Sequence, residues 1–219
     1  MSAFAAMRPE PGVPNRRPAI THAGRIWKRA IDISGSVILL LFSAPLIAIL
    51  AARIKLHDGG PAFFRRRVVG QQGEFDAFKL RTMRVDADEV LRQDQKLRRQ
   101  FEINFKLKDD PRITAIGAAL RKSGLDELPQ LWNVLKGEMS LVGPRMITRV
   151  ELKKFGEAGW AFSVMKPGIT GYWQVYGNQD AGYDNRIKMD LFYVENWSLW
   201  FDLKILVATP LRMLRRAGA

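Results

Sequence analysis

The residues best suited to chemistry are the adjacent carboxylates Asp126 and Glu127. They stand directly before Leu128, Leu131, Trp132 and Leu135, which repeat at helical spacing; Pro129 is tolerable only in a first turn, and Gly137 suits a C-terminal cap. This predicts a helix whose N-terminus carries both carboxylates. Free amide groups and the positive dipole end favour anions there, whether a side-chain carboxylate or a phosphate brought to it. Neighbouring helical side chains point about 100° apart, so the pair suits two tasks, one group attacking while the other holds a metal. Taken alone, an Asp in this position reads as a helix cap. A supply of cations argues for more: Arg121, Arg145 in Val-Gly-Pro-Arg, and Lys79 with Arg81. Guanidinium forks match phosphate oxygens, and a diphosphate with Mg²⁺ requires cations and carboxylates together.

Composition excludes several other chemistries. The 219 residues contain no cysteine and only His22 and His57, which removes thiol nucleophiles and disulfides and makes zinc sites and Ser-His-Asp triads improbable. A net charge of +13 implies anionic partners: nucleic acid, phosphorylated small molecules or an acidic membrane leaflet. No nucleic-acid recognition motif or stacking platform stands out, so no nucleic-acid partner is expected.

The elements that must position these groups are also visible. Residues 1–24, rich in Pro, Arg and small side chains, read as a flexible basic tail. From Val37 to Ala52 the chain is apolar apart from Ser43 and Pro45. Those sixteen residues reach about 24 Å as a helix, short of the roughly 30 Å of hydrocarbon a span must cross. Arg25, Lys28 and Arg29 precede them and Arg53 and Lys55 follow, which places both ends on the cytoplasmic side. Pro45 breaks the backbone ladder and Ser43 can satisfy a freed group. Residues 25–56 are therefore expected to form a re-entrant hairpin or strongly kinked helix, an ordinary tilted span being the rival. Residues 57–219 form the catalytic domain. In it, Phe63–Val69 and Glu74–Met83 predict a small hairpin on which Lys79 and Arg81 share a face. Asp86–Lys108 predicts a charged, solvated helix or a mobile cover, and Trp173–Val175 a short strand after the Lys166-Pro-Gly-Ile-Thr-Gly171 turn. The aromatic, apolar and cationic stretch from Trp197 suits an interfacial amphipathic helix, with core packing the alternative. The fold class expected is α+β, helix-rich with a small β-hairpin.

In order and wording the strings KLRTM, SGLDELPQLWNVLKGEMSLVGPR, KPGITGYWQV and ENWSLWFDLKIL resemble the monotopic phosphoglycosyl transferases, the bacterial sugar transferase family, from about Lys28 to the C-terminus. The resemblance implies transfer of a hexose-1-phosphate from a UDP-sugar to a polyprenyl (undecaprenyl) phosphate with release of UMP, initiating surface glycan or exopolysaccharide synthesis at the bacterial inner membrane. It further implies that Asp126 is a nucleophile forming a covalent phospho-sugar, that Glu127 binds Mg²⁺, and that Arg121, Arg145 and less directly Lys79 and Arg81 hold phosphate or uridine. Membrane lipids are further partners, and the oligomeric state is open, a homodimer included. This sequence departs from the family pattern at Ala44, which separates Ser43 from Pro45 in the membrane-helix break, at Met146 and at Asn178. An inactive, basic membrane scaffold is the alternative.

Overall fold

The computed structural model describes residues 20–105, 107, 109–177 and 182–218; Asn178 and nearly all of the N-terminal tail lie outside them. The described chain opens with one helix, α1 (His22–Asp58), capped by the Thr21 hydroxyl and closed at Gly59 in the left-handed region at φ 72°. The hairpin follows as β1 (Phe63–Gly70) and β2 (Gly73–Leu80), antiparallel with Phe64 opposite Lys79 and Arg66 opposite Ala77. The charged stretch is two helices, α2 (Ala87–Gln93) and α3 (Gln95–Asn104), because the Asp94 side chain caps the second by accepting from Leu97. Next come α4 (Ala115–Ser123), a 3₁₀ turn at Leu125–Glu127, α5 (Gln130–Lys136) and β3 (Ser140–Val142). The chain continues through α6 (Arg149–Phe155), α7 (Ala161–Val164), β4 (Gly168–Thr170), α8 (Tyr172–Tyr176), α9 (Gly182–Glu195) and α10 (Leu199–Gly218).

The helix-rich α+β expectation with its hairpin holds; the strand expected at Trp173–Val175 does not. Those residues are helical, and the strand lies just upstream at Gly168–Thr170, pairing in parallel with β3. Gly143, Gly168 and Gly171 explain the shift. A Cβ on Gly168 would stand 2.1 Å from the Gly143 nitrogen and one on Gly171 2.1 Å from the Gly143 oxygen, so only glycines let these segments approach. After that contact ends, α8 begins at once, with the Val175 amide donating to the Gly171 carbonyl.

α1 is long and apolar enough to cross a membrane. Its inward residues nevertheless run almost its full length: Asp32, Ser36, Leu40, Ser43, Ile47, Leu50 and Ile54, spaced three or four apart. The first part packs on the main core around Val134, Leu141, Val142 and Ile205, the last part on Leu80, Leu120 and Leu125. Polar contacts hold each end. Lys28 Nζ donates to Asp202 (2.6 Å) and to the Val142 carbonyl (2.9 Å), and Asp32 accepts from the Ser140 hydroxyl and the Leu141 amide, both at 2.9 Å. Arg29 donates to the carbonyls of Val134 (2.6 Å) and Leu135 (2.7 Å), satisfying C-terminal carbonyls of α5. Lys28 and Arg29 are thus committed to the protein interior. At the far end Asp58 pairs with Arg81, whose Nε also donates to the Pro61 carbonyl at 2.7 Å. The outward face, including Val37, Ile38, Leu41, Phe42 and Ile49, is apolar and exposed.

Candidate active site

The Gly124 left-handed cap that ends α4 (φ 70°) turns the chain directly into the 3₁₀ turn bearing Asp126 and Glu127. The helix expected to start here starts later, at Gln130, with Pro129 in its cap position. Neither the turn nor α5 carries a side-chain cap, so Asp126 does not do the work a capping carboxylate would do. It is instead 6% exposed and enclosed by charge.

Of the cations expected here, three converge and one does not. Lys79, on β2, donates to Glu127 Oε1 at 2.6 Å, and Arg145 reaches the same oxygen at 3.3 Å. Arg121, one α4 turn before the carboxylates, donates to the Thr82 hydroxyl at 2.8 Å and acts electrostatically on Asp126. Arg81 lies two residues from Lys79, yet its fork goes to Asp58 and so fastens α1 to the end of β2. The alternation that sets Lys79 and Arg81 on one face fails past Leu80, where β2 ends.

The two carboxylates titrate in opposite directions. Burial pushes Asp126 above the usual carboxylate range, Lys79 opposing and the Glu127 charge reinforcing it. Burial also acts on Glu127, but Lys79 and Arg145 together overcome it and hold that group well below the usual range. The result is one carboxylate firmly ionised and its neighbour desolvated, with no hydrogen bond to its oxygens among the described residues. A buried carboxylate perturbed in this way beside several cations is a candidate functional group.

Behind Arg145 lies a second charged cluster not expected from the sequence. Arg66 on β1 donates to Glu151 (3.3 Å), which Arg186 approaches at 3.6 Å, and Arg186 also lies 3.6 Å from Asp190. The Arg145 amide donates to Asp190 Oδ1 at 3.4 Å, and Arg186 donates to the Arg145 carbonyl at 3.2 Å. α9 thereby grips the peptide whose side chain reaches Glu127. Burial raises the Asp190 carboxyl to about 6, Arg186 opposing. Two signals for this cluster were in the sequence: Thr148-x-x-Glu151, a capping box formed here, and the i,i+4 spacing of Arg186 and Asp190. Arg66 was hidden within Arg65-Arg66-Arg67.

Among the described residues no group of three or more metal-ligating side chains converges. The donor set still fits Mg²⁺, which commonly takes one or two carboxylates and completes its shell with substrate oxygens and water. Both cations on Glu127 engage Oε1, leaving Oε2 for such a role.

The buried carboxylate pair lies beside Lys79, Arg121 and Arg145 on a body packed against one long apolar helix. The family model described as bacterial sugar transferase matches residues 23–216, and the chain belongs to that family. It is 46% identical over 202 residues to an undecaprenyl-phosphate galactose phosphotransferase of Salmonella typhimurium, covering 90% of this chain and 42% of that one. It is 41% identical over 203 residues to the exopolysaccharide production protein ExoY of Rhizobium meliloti, covering 90% and 89%. To the UDP-glucose:undecaprenyl-phosphate glucose-1-phosphate transferase of Escherichia coli it is 34% identical over 218 residues, covering 95% and 44%. The chain thus spans less than half of the Salmonella and Escherichia relatives and most of ExoY.

Proposed function

We propose that this chain transfers a hexose-1-phosphate from a UDP-sugar to a polyprenyl phosphate such as undecaprenyl phosphate, releasing UMP, as the first step of exopolysaccharide or surface glycan synthesis. The observation that carries the reading is Asp126: buried, uncapped, and flanked by a Glu127 already neutralised by Lys79 and Arg145. The names of the relatives supply the sugar-phosphate and lipid-phosphate chemistry.

In the reaction an Asp126 oxygen attacks the sugar-bearing phosphorus. The bond from that phosphorus to the oxygen bridging to UMP breaks, and its electron pair leaves with UMP. The lipid phosphate oxygen then attacks the same phosphorus, and the carboxylate departs. Splitting the transfer lets a water-soluble donor and a membrane acceptor use the site in turn. Arg121 and Arg145 orient the donor phosphates, and Lys79 holds Glu127 ionised. Glu127 would hold Mg²⁺, which neutralises negative charge developing on the departing phosphate.

The same reading sets α1 as a re-entrant element of the inner membrane with the catalytic body on the cytoplasmic face. Contact of both ends of α1 with that one body supports this, since a spanning helix would carry its ends to opposite sides. Pro45 removes a ladder donor midway, with Ser43 on the inward stripe one turn from Leu40.

The test is UMP release by purified protein given Mg²⁺, polyprenyl phosphate and a panel of UDP-hexoses. Asp126→Asn is expected to lower release by about three orders of magnitude or more, and a phospho-sugar adduct should be trapped on Asp126 when acceptor is withheld. Undiminished turnover in that variant, or no UMP from any donor, overturns the proposal and favours a scaffold.

A further inference from the structure

The charges around the site do not cancel. Arg66, Lys79, Arg112, Arg121, Arg145 and Arg186 are six cations, and the carboxylates among them are five, Asp110, Asp126, Glu127, Glu151 and Asp190, of which Asp110 is paired with Arg112. Lys79 and Arg145 are spent on Glu127, and Arg186 on Glu151, Asp190 and the Arg145 peptide. Arg121 has a neutral hydroxyl, Thr82, as its hydrogen-bond partner, with Asp126 acting on it only through space. Arg66 shares Glu151 with Arg186 through a single long contact of 3.3 Å.

Arg66 occupies a distinctive place. The hairpin register sets it opposite Ala77, so it projects from the same face of the sheet as Lys79. Its charge is acted on by Glu151, Arg145, Arg186 and Glu127 and acts in turn on Arg121, so it lies within electrostatic reach of both carboxylate clusters. Its side chain is 36% exposed, against 5% for its partner Glu151. Two guanidiniums within electrostatic reach of each other, the second with no carboxylate hydrogen-bonded to it among the described residues, favour an anion beside them.

We propose that Arg66, with Arg121, binds a phosphate group other than the one under attack at Asp126. This rests on the reading above. Two sources share that chemistry, the nucleoside-side phosphate of the donor and the phosphate of the lipid acceptor. Arg66 is then a binding residue of the reaction, and Glu151 aims it.

Inorganic pyrophosphate is the probe for binding, titrated calorimetrically into the full chain in detergent. Arg66→Gln is expected to weaken pyrophosphate at least about 10-fold, as loss of a charged fork should. Arg66→Lys keeps the charge and the Glu151 ion pair while losing the fork, and is expected to be about 3-fold weaker. Should Arg66→Gln fail to fold, the lysine variant decides. Wild-type affinity in both variants, or in the lysine variant alone if only it folds, overturns the proposal, because a residue serving only to brace Glu151 would leave pyrophosphate binding unmoved. Single-turnover UMP release separates the sources: slowed adduct formation assigns the donor phosphate, whereas normal formation with slowed transfer to polyprenyl phosphate assigns the acceptor. If wild-type protein releases no UMP from any donor, the transferase reading fails while the pyrophosphate titration still judges Arg66.

Discussion

Asp126 and Glu127 are neighbours in the chain with opposite electrostatic fates, and the difference lies in which one the cations touch. Lys79 bonds Glu127 but acts on Asp126 only across space, lowering the acidity barrier that burial imposes. A nucleophilic Asp126 must be ionised, so the rate should fall on acidification along a limb lying above the ordinary aspartate value of about 3.9. Lys79→Met removes the main opposing charge and should move that limb to higher pH; a pH–rate profile in which the limb stays fixed would show that Lys79 does not tune Asp126. Asp190 makes a stability prediction of definite sign. Its folded value of about 6 exceeds that of the unfolded chain, so between about pH 4 and 6 the native state holds a proton the unfolded state has lost. Stability from this group is full below that window and is lost as pH rises through it, by about 3 kcal/mol at most. Asp190→Asn should abolish that slope in denaturation midpoints measured from pH 4 to 7.

At the scale of elements, what was legible in the sequence was whatever local chemistry determines. Gly70 to Gly73 announced the hairpin, Gly137 closed α5 as expected, and the Asp-Glu pair with Arg121 and Arg145 came together. The strand misplaced onto Trp173–Val175 failed for a non-local reason: pairing with β3 is decided by glycines at 143, 168 and 171, which meet only in the fold. Arg81 failed likewise, since nothing local says that Asp58 will be waiting for it. One close approach is directly testable. A Cβ on Gly117 would stand 1.9 Å from the Thr82 carbonyl, backbone that cannot yield, while the Thr82 hydroxyl accepts from Arg121. Gly117→Ala should therefore push α4 outward, costing about 1–3 kcal/mol, and lower turnover by about tenfold or more as Arg121 shifts. Thermal midpoint and turnover measured on the same preparation check both.

For the molecule as a whole, the outward face of α1 and the apolar face of α10, with Trp200, Leu203, Val207, Leu211 and Leu214 exposed, are two apolar surfaces of the kind a lipid interface covers. Single cysteines introduced at Arg25 and at Leu56, on either side of Pro45 and in a chain that has none of its own, should both be labelled by an impermeant reagent only from the cytoplasmic side. Labelling of the second from the opposite side would restore a spanning helix.

A long apolar helix and the body beside it are usually imagined as separable parts, yet the clasp made by Lys28, Arg29 and Asp32 leaves no seam at which to part them. Cutting α1 away would strip Asp202 of its cation, Ser140 and Leu141 of their acceptor, and α5 of partners for two C-terminal carbonyls, and would uncover Leu80 and Leu120. Grafting another membrane helix in its place would succeed only if β3, α5 and α10 travelled with it. In folding terms α1 is no appendage: through Asp32, Ser36 and Ile54 it is part of the body it packs on.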